Sequence, residues 1–161
     1  MTGHIGVPVP VERLDHASPE VAEEIRSLMA ASYEVEARLL QVADFFPLRR
    51  TAAHIAEERA EFLGVREAGA LVAAAELEDP EPGHAHIGAM VVRPSEFRRG
   101  LASAMLRAIV AARPAHAITV STGERNAPAI ALYERHGFAV RERWTTPDGI
   151  PMVTLALGTA D

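Results

Sequence analysis

The chain has no cysteine among its 161 residues. Disulfides, thiolate metal sites and a cysteine nucleophile are therefore excluded, and the composition fits a reducing cytoplasm. No apolar run approaches the ~20 residues that a membrane-spanning helix needs. The opening MTGHIGVPVPVERLDH lacks a basic stretch followed by an apolar core, so no signal peptide is predicted. Positive charge is also scarce: 16 Lys and Arg against 22 Asp and Glu leave a net charge of −6. That balance argues against general binding to nucleic acid or anionic membrane. Internal repeats, low-complexity tracts and linkers are absent. Neither G-x-x-x-x-G-K-[ST] nor G-x-G-x-x-G occurs, which counts against an unrelated nucleotide-binding domain. Ser103 and Ser121 lie outside any G-x-S-x-G context, so a serine nucleophile has no support.

What is present is an ordinary globular composition, 48% apolar and 24% charged. The length predicts one domain over residues 1–161, with a core from 7 to 157. Residues 7–14 read as a first strand. Ser18 and Pro19 then open a helix whose positive end carries Glu20, Glu23 and Glu24. Val21, Ile25, Leu28 and Met29 give it one buried face. A second helical segment is expected over 34–43, broken by Phe45-Phe46-Pro47. Thr51 is expected to cap a helix over 52–59. Two strands follow, 61–67 and 70–78, joined at Ala68-Gly69. A polar turn over 78–83 leads to a central strand over 84–92. The helix 100–112 shows a stripe of Leu101, Met105, Ala108 and Ala112, and Pro114 stops it. A strand at 117–122, a helix at 126–136 and a closing pair at 138–145 and 151–157 complete the order. The prediction is an α/β fold: a mixed, mostly antiparallel sheet of about seven strands with helices on both faces.

Two segments point to chemistry. The first reads AMVVRPSEFRRGLASAMLRAIV, an apolar strand, a Pro-containing turn, and two arginines and a glycine opening a helix. Unpaired first-turn N–H groups and a partial positive charge make such a helix start suitable for an anion. Gly100 permits close approach and Ala102 nearly so. Arg93, Arg98 and Arg99 supply a local basic patch. The second, NAPAIALYERHGF, starts a helix at Asn126, places Tyr133 two turns along it, and ends it at Gly137.

Together these segments resemble the GNAT superfamily of acetyl-CoA-dependent N-acetyltransferases. The resemblance implies the GNAT fold in β-α-α-β-β-β-α-β-α-β-β order. It implies acetyl transfer from acetyl-CoA, with no metal, to a primary amine of a small molecule or peptide by direct attack. Cofactor-binding positions are then Met90, Val91, Val92, Arg98, Arg99, Gly100, Leu101, Ala102, Ser103, Asn126 and Tyr133. The family's leading Gln or Arg position falls on Phe97, so the extra side-chain contact is open and Arg98 is a candidate. Asn126 would lie along the pantetheine arm, and Tyr133 would aim its hydroxyl at the thioester sulfur. A non-catalytic acyl-CoA-binding or regulatory domain is the alternative.

The amine's proton needs an acceptor. Family members often place a Glu about eleven residues before the Gln/Arg position, which lands on His86 here. A histidine of pKa about 6.5 suits proton relay near neutrality. Glu76 ranks next and His84 third. His84 and His86 project to one face of their strand, but no third residue has convincing metal-ligand spacing. Acceptor specificity is expected from residues 33–50 and 144–152. Within them Phe45, Phe46 and Trp144 are open between pocket wall, core and dimer contact. Arg49 and Arg50 are open to a carboxylate, Glu34 and Glu36 to a cationic acceptor. A homodimer is also open.

Overall fold

The computed structural model describes residues 9–97 and 99–158. Its elements are β1 (Glu12–Leu14), α1 (Pro19–Leu40), α2 (Ala52–Ala56), β2 (Glu61–Glu67), β3 (Ala70–Glu81), β4 (His84–Val92), α3 (Leu101–Ala112), β5 (Ala117–Gly123), α4 (Ala127–Arg135), β6 (Ala139–Thr145) and β7 (Pro151–Leu157). Short 3-10 turns cover Phe46–Arg49 and Pro94–Glu96. The seven strands form one sheet in the order β1-β2-β3-β4-β5-β7-β6. Among these pairings β4 with β5 is parallel and all others are antiparallel. The predicted fold class therefore holds.

Residues 7 and 8 of the predicted first strand lie outside the described residues, and so does Arg98. The two helical segments expected before Phe45 are one helix of 22 residues. Nothing between Ala30 and Glu34 breaks helical geometry, and the buried stripe of Ile25, Leu28 and Met29 continues through Ala37 and Leu40. Ser18 holds the N-cap position without a side-chain cap bond, whereas Gln41 closes the helix in left-handed conformation. Thr51 does cap α2, accepting from the His54 N–H, but α2 ends at Ala56. On α3 the buried stripe runs through Leu101, Ala104, Met105, Leu106 and Ile109, and Ala112 is exposed. The buried face is rotated from the expected one because Leu106 and Ile109 have more apolar area to bury than Ala108 and Ala112.

Two apolar layers sandwich the sheet. One holds Val65, Leu77, Ile87, Met105, Ile109 and Leu155, against α3 and α4. The other packs Ile25, Met29, Ile55 and Phe62 of α1, α2 and β2 against Ala74, Ala89 and Val91. A third, smaller cluster joins Leu40 and Phe45 to Ile150, tying the end of α1 to the loop between β6 and β7.

The β2–β3 turn holds Ala68 at φ 51° and Gly69 at φ 81°. A left-handed alanine costs roughly 1–2 kcal/mol, while Asn-Gly is the preferred pair for such a turn. Ala68→Asn is therefore expected to stabilise the fold by about 0.5–1 kcal/mol. In a chain of this size the melting temperature should rise by roughly 1–4 °C, read by thermal denaturation.

Candidate active site

The site begins where two strands part. β4 and β5 pair only from His84 with Ala117 to Ile87 with Val120. Beyond that, β4 stays with β3, pairing Ala89 with Glu76 and Met90 with Ala75. β5 stays with β7, pairing Ser121 with Thr154 and Gly123 with Met152. The β3–β4 register slips between Glu76 and Leu77, leaving Gly88 as an extra residue at the point of parting. A Cβ there would lie 3.0 Å from Glu78 Oε2 and 3.3 Å from Glu76 Oε1, so any side chain at this position needs both carboxylates to shift slightly. The edges of Gly88–Met90 and Ser121–Gly123 that face one another lack ladder partners, which exposes backbone polar groups to the gap.

A cavity of about 1390 Å³ opens from this gap. Its walls include Gly88, Ala89 and Met90 of β4, Asn126 and Tyr133 near α4, and His86. Of the predicted positions beyond these, Val91 and Val92 put their side chains into the two core layers. Leu101 is also core and Ala102 packs against that core, so these two offer a ligand only their backbone N–H groups, whereas Ser103 offers its N–H and a part-buried hydroxyl. The first intrahelical bond of α3 runs from the Ala104 N–H to the Gly100 carbonyl, leaving those three donors without a helical partner. Gly100 sits at φ 77°, and a Cβ built on it would meet nothing within 4 Å. The Ser103 hydroxyl lies 2.9 Å from His136 Nε2 at the far end of α4, which joins the two helices beside this start. Arg99 donates to both Glu67 oxygens at 2.8 and 2.9 Å and to Glu96. Its charge is thus already met by two carboxylates, so the basic patch expected from the sequence is weaker than a count of arginines suggests.

Asn126 caps α4, its Oδ1 accepting from the Ala129 N–H, and its amide donates to the Thr122 hydroxyl. Tyr133 is only 4% exposed and stacks against Phe138 with ring centroids 5.7 Å apart. No fully buried side-chain polar atom among the described residues lacks a partner, the Tyr133 hydroxyl makes no side-chain hydrogen bond to another described residue, and Tyr133 lines the cavity. Its hydroxyl therefore meets the cavity. Burial, with a smaller contribution from the Glu36 charge, pushes its pKa well above the ordinary tyrosine value. It is a firm hydrogen-bond donor and a poor source of protons.

The candidate proton acceptors separate clearly. His86 and His84 share a face of β4, and both reach the Thr119 hydroxyl on β5, from His86 Nδ1 and His84 Nε2 at 2.8 Å each. His86 lines the cavity. Burial chiefly, then the neighbouring His84, lowers its pKa against an opposing pull from Glu76, so the ring is neutral near pH 7. Glu76 is buried in a two-point ion pair: Arg50 Nη1 and Nη2 donate to its two oxygens at 2.7 Å each. Arg50 also lies over the Phe62 ring and 3.4 Å from Glu58. Taking a proton at Glu76 would break that pair, and the cavity wall passes it by.

The far wall comes from the two segments expected to set specificity. Tyr33 and Glu36 of α1, Phe45 and Phe46, and Trp144 and Met152 of the last hairpin all face the cavity. Phe45 is buried among Leu40 and Ile150, whereas Phe46 is 69% exposed at the rim. The Trp144 indole N–H donates to Thr154, which also bonds Ser121 at 2.7 Å. Arg49 is taken up by Asp44. Glu36 has its pKa raised, mainly by burial, with Asn126 opposing. Thr119 and Gly88 escaped the reading of the sequence. Thr119 sits in an alternating run, Ile118-Thr119-Val120-Ser121, but only the parallel register brings it opposite His86.

Comparison with known proteins agrees with this architecture. Residues 22–138 match the family model described as the acetyltransferase (GNAT) family. A UPF0157 protein, YqkA of Bacillus subtilis (strain 168), is 28% identical over 141 residues, covering 87% of this chain. The alignment spans 41% of that relative's length. Among solved structures, the ribosomal-protein-S18-alanine N-acetyltransferase of Escherichia coli superposes with a TM-score of 0.70 at 20% identity, covering 94% of this chain and 96% of the other. The structure of yncA from Salmonella typhimurium with its cofactor acetyl-CoA gives a TM-score of 0.66 at 17% identity, covering 94% of each chain.

The Arg50–Glu76 pair anchors the segment before α2 to the middle of the sheet. Arg50→Met would leave the buried carboxylate without its counter-charge. The expected loss is about 3 kcal/mol of folding free energy, measured by urea denaturation. A loss below about 1 kcal/mol, the range of exposed pairs, would mean that Glu76 finds water or another partner.

Proposed function

The chain belongs to the GNAT acetyltransferase family, and from that premise we propose that it moves an acetyl group from acetyl-CoA to a primary amine of a small molecule or peptide. The observation that supports this best is the parting of β4 from β5, with Tyr133 and Asn126 on one side of the gap and His86 on the other. In this reading residues 1–161 act as one acetyltransferase domain working in the cytoplasm. Acetyl-CoA supplies a thioester activated toward amines. The chain offers a fit for it in the first-turn N–H groups of Leu101, Ala102 and Ser103, the unhindered backbone at Gly100, and the unpaired strand edges at Gly88–Met90. No counter-charge beyond backbone and dipole is required for a pyrophosphate at a helix start.

An amine attacks only as the free base. A lysine-type ammonium has a pKa of about 10.4 and an α-ammonium about 7.7–8.0. Something must take the proton, and His86 is the neutral group that faces the cavity. Glu76 is the weaker candidate because its lone pairs are engaged by Arg50. On the other side, a thiolate leaving group has a pKa near 8.5 against about 10 for an ordinary tyrosine. The raised pKa of Tyr133 widens that mismatch. Its part is then to stabilise developing charge on sulfur by donating a hydrogen bond, with its proton retained.

Purified protein mixed with acetyl-CoA and a panel of amines should release free thiol. Coenzyme A binding without thiol release across the panel would favour the non-catalytic alternative. Gly100→Val meets no neighbour within 4 Å but puts a β-branched side chain at φ 77°. It should therefore lower the melting temperature of the free protein by an amount equivalent to roughly 1–2 kcal/mol and also remove the rise in melting temperature that coenzyme A gives by mass action. Unchanged ligand stabilisation would place the phosphates elsewhere.

Tyr133→Phe should keep coenzyme binding and lower kcat by roughly 10–100-fold. Wild-type turnover would reduce Tyr133 to a packing residue.

The pH profile has a definite sign. Because burial lowers the His86 pKa, kcat/KM should rise through an apparent pKa below the ordinary 6.5, and the acceptor's own ionisation should form a second, higher limb. His86→Ala should erase the lower limb. Persistence of that limb in His86→Ala and its loss in Glu76→Gln would make the carboxylate the base.

A further inference from the structure

His86, Thr119 and His84 form a continuous hydrogen-bonded chain that leads from the cavity to the protein surface. Its inner end is His86, which lines the cavity. Its middle is the Thr119 hydroxyl, 2.8 Å from a ring nitrogen of each histidine. Its outer end is His84 at the start of β4, whose Nδ1 lies 3.6 Å from Glu81 Oε1, an ion-pair rather than a hydrogen-bond distance. Glu81 is 71% exposed, so that end is in water. We propose that Thr119 and His84 are working parts of the reaction: a relay that fixes the tautomer of His86 and carries the amine's proton out to solvent.

The proposal rests on His86 being the group that accepts that proton. Directionality follows from the atoms. A threonine hydroxyl has one hydrogen to give, so of its two contacts with histidine nitrogens it can donate in only one. The Glu81 carboxylate favours hydrogen on the near nitrogen of His84, Nδ1, which leaves His84 Nε2 as an acceptor. Thr119 then donates to His84 Nε2 and must accept from His86 Nδ1–H. That assignment leaves His86 Nε2 with its lone pair, the one nitrogen of the four that is not engaged in the chain. A base pointing into the cavity is thereby set by a carboxylate three groups away.

When the amine N–H bond breaks, its proton joins His86 Nε2. The Nδ1 hydrogen of His86 can pass to Thr119 oxygen as the threonine's own hydrogen passes to His84 Nε2. His84 then releases its Nδ1 hydrogen to water beside Glu81. One proton enters and one leaves; rotation of the hydroxyl, exchange at His84 with water, and exchange of the His86 hydrogen from Nε2 to Nδ1 through water in the emptied cavity then restore the starting arrangement. The titratable groups that bear on His86 are His84 on its own strand and Glu76 of β3, with Glu78 opposite it in the β3–β4 register and Glu36 of α1 in the same cavity wall.

The test compares wild type with Thr119→Val, Thr119→Ser, His84→Gln and His86→Ala, using an amine that the protein acetylates. Thiol release is followed across pH, in dilute and in concentrated buffer. Thr119→Val and His84→Gln should each slow kcat/KM by about tenfold near neutral pH in dilute buffer, and added buffer should restore part of that loss. Thr119→Ser keeps the hydroxyl and should stay within about twofold of wild type. If His86→Ala itself reacts normally, the base is elsewhere and both the assignment and the relay fall. If His86→Ala is slow while Thr119→Val matches wild type, the base stands and the relay is wrong. A slow Thr119→Val that ignores buffer, keeps the wild-type pH profile and is not rescued by Thr119→Ser would make Thr119 a packing residue only, which also overturns the proposal.

Discussion

β4 cannot satisfy two neighbours along its whole length. For four residues it bonds β5, and from Gly88 onward it turns with β3 while β5 follows β7. The extra residue at Gly88 lets this happen, because it shifts the β3 register by one and bends the strand away. Everything of chemical interest lies on that divergence. It strips backbone groups of their ladder partners, opens the sheet to both layers of helices, and sets the start of α4 against one lip and His86 against the other. Glu76 and Glu78 crowd Gly88, so a side chain there would need both carboxylates to shift slightly, and one of them is locked to Arg50.

Charge is distributed around that opening in a consistent way. The carboxylate nearest the bend, Glu76, has its own arginine and stays out of the cavity. At three of the groups that face the cavity burial disfavours the charged form: it lowers the pKa of His86 and raises those of Tyr133 and Glu36, while Asp44, Arg49, Arg125 and Asp148 also line the opening. Burial at these three groups disfavours charge where the proposed reaction between a neutral amine and a neutral thioester would begin. It also makes any charge that develops there sensitive to a single well-placed hydrogen bond. Tyr33, Phe45 and Trp144 give the outer wall of that cavity an aromatic lining.

Most of the fold was readable because its elements announce themselves locally. β2, β4 and β7 fall where alternation, turn residues and prolines put them, and the motifs at Gly100 and Asn126 sit at helix starts as expected. The failures are those of local reasoning. α1 was divided because the sequence between Met29 and Glu34 carries few large apolar residues, although its helix continues to pack through Ala37, Leu40 and Phe45. The two helix starts proposed to hold the cofactor were legible as elements, because backbone conformation and sequence motif coincide at Gly100 and Asn126. The acceptor half of the site was legible only as segments. That Arg50 belongs to Glu76, and that Thr119 stands between two histidines, depends on pairings across 26, 33 and 35 positions of sequence, which no periodicity encodes.

The most direct test of this account is a crystal structure of the protein with coenzyme A. The expected result is a pantetheine arm running between β4 and β5, bonded to the free backbone edge at Gly88–Met90, with the pyrophosphate at the first turn of α3 and the thiol near the Tyr133 hydroxyl. Coenzyme A bound elsewhere, or a gap between β4 and β5 that stays closed to it at saturating concentration, would contradict the claim that the parting of these strands is the seat of function.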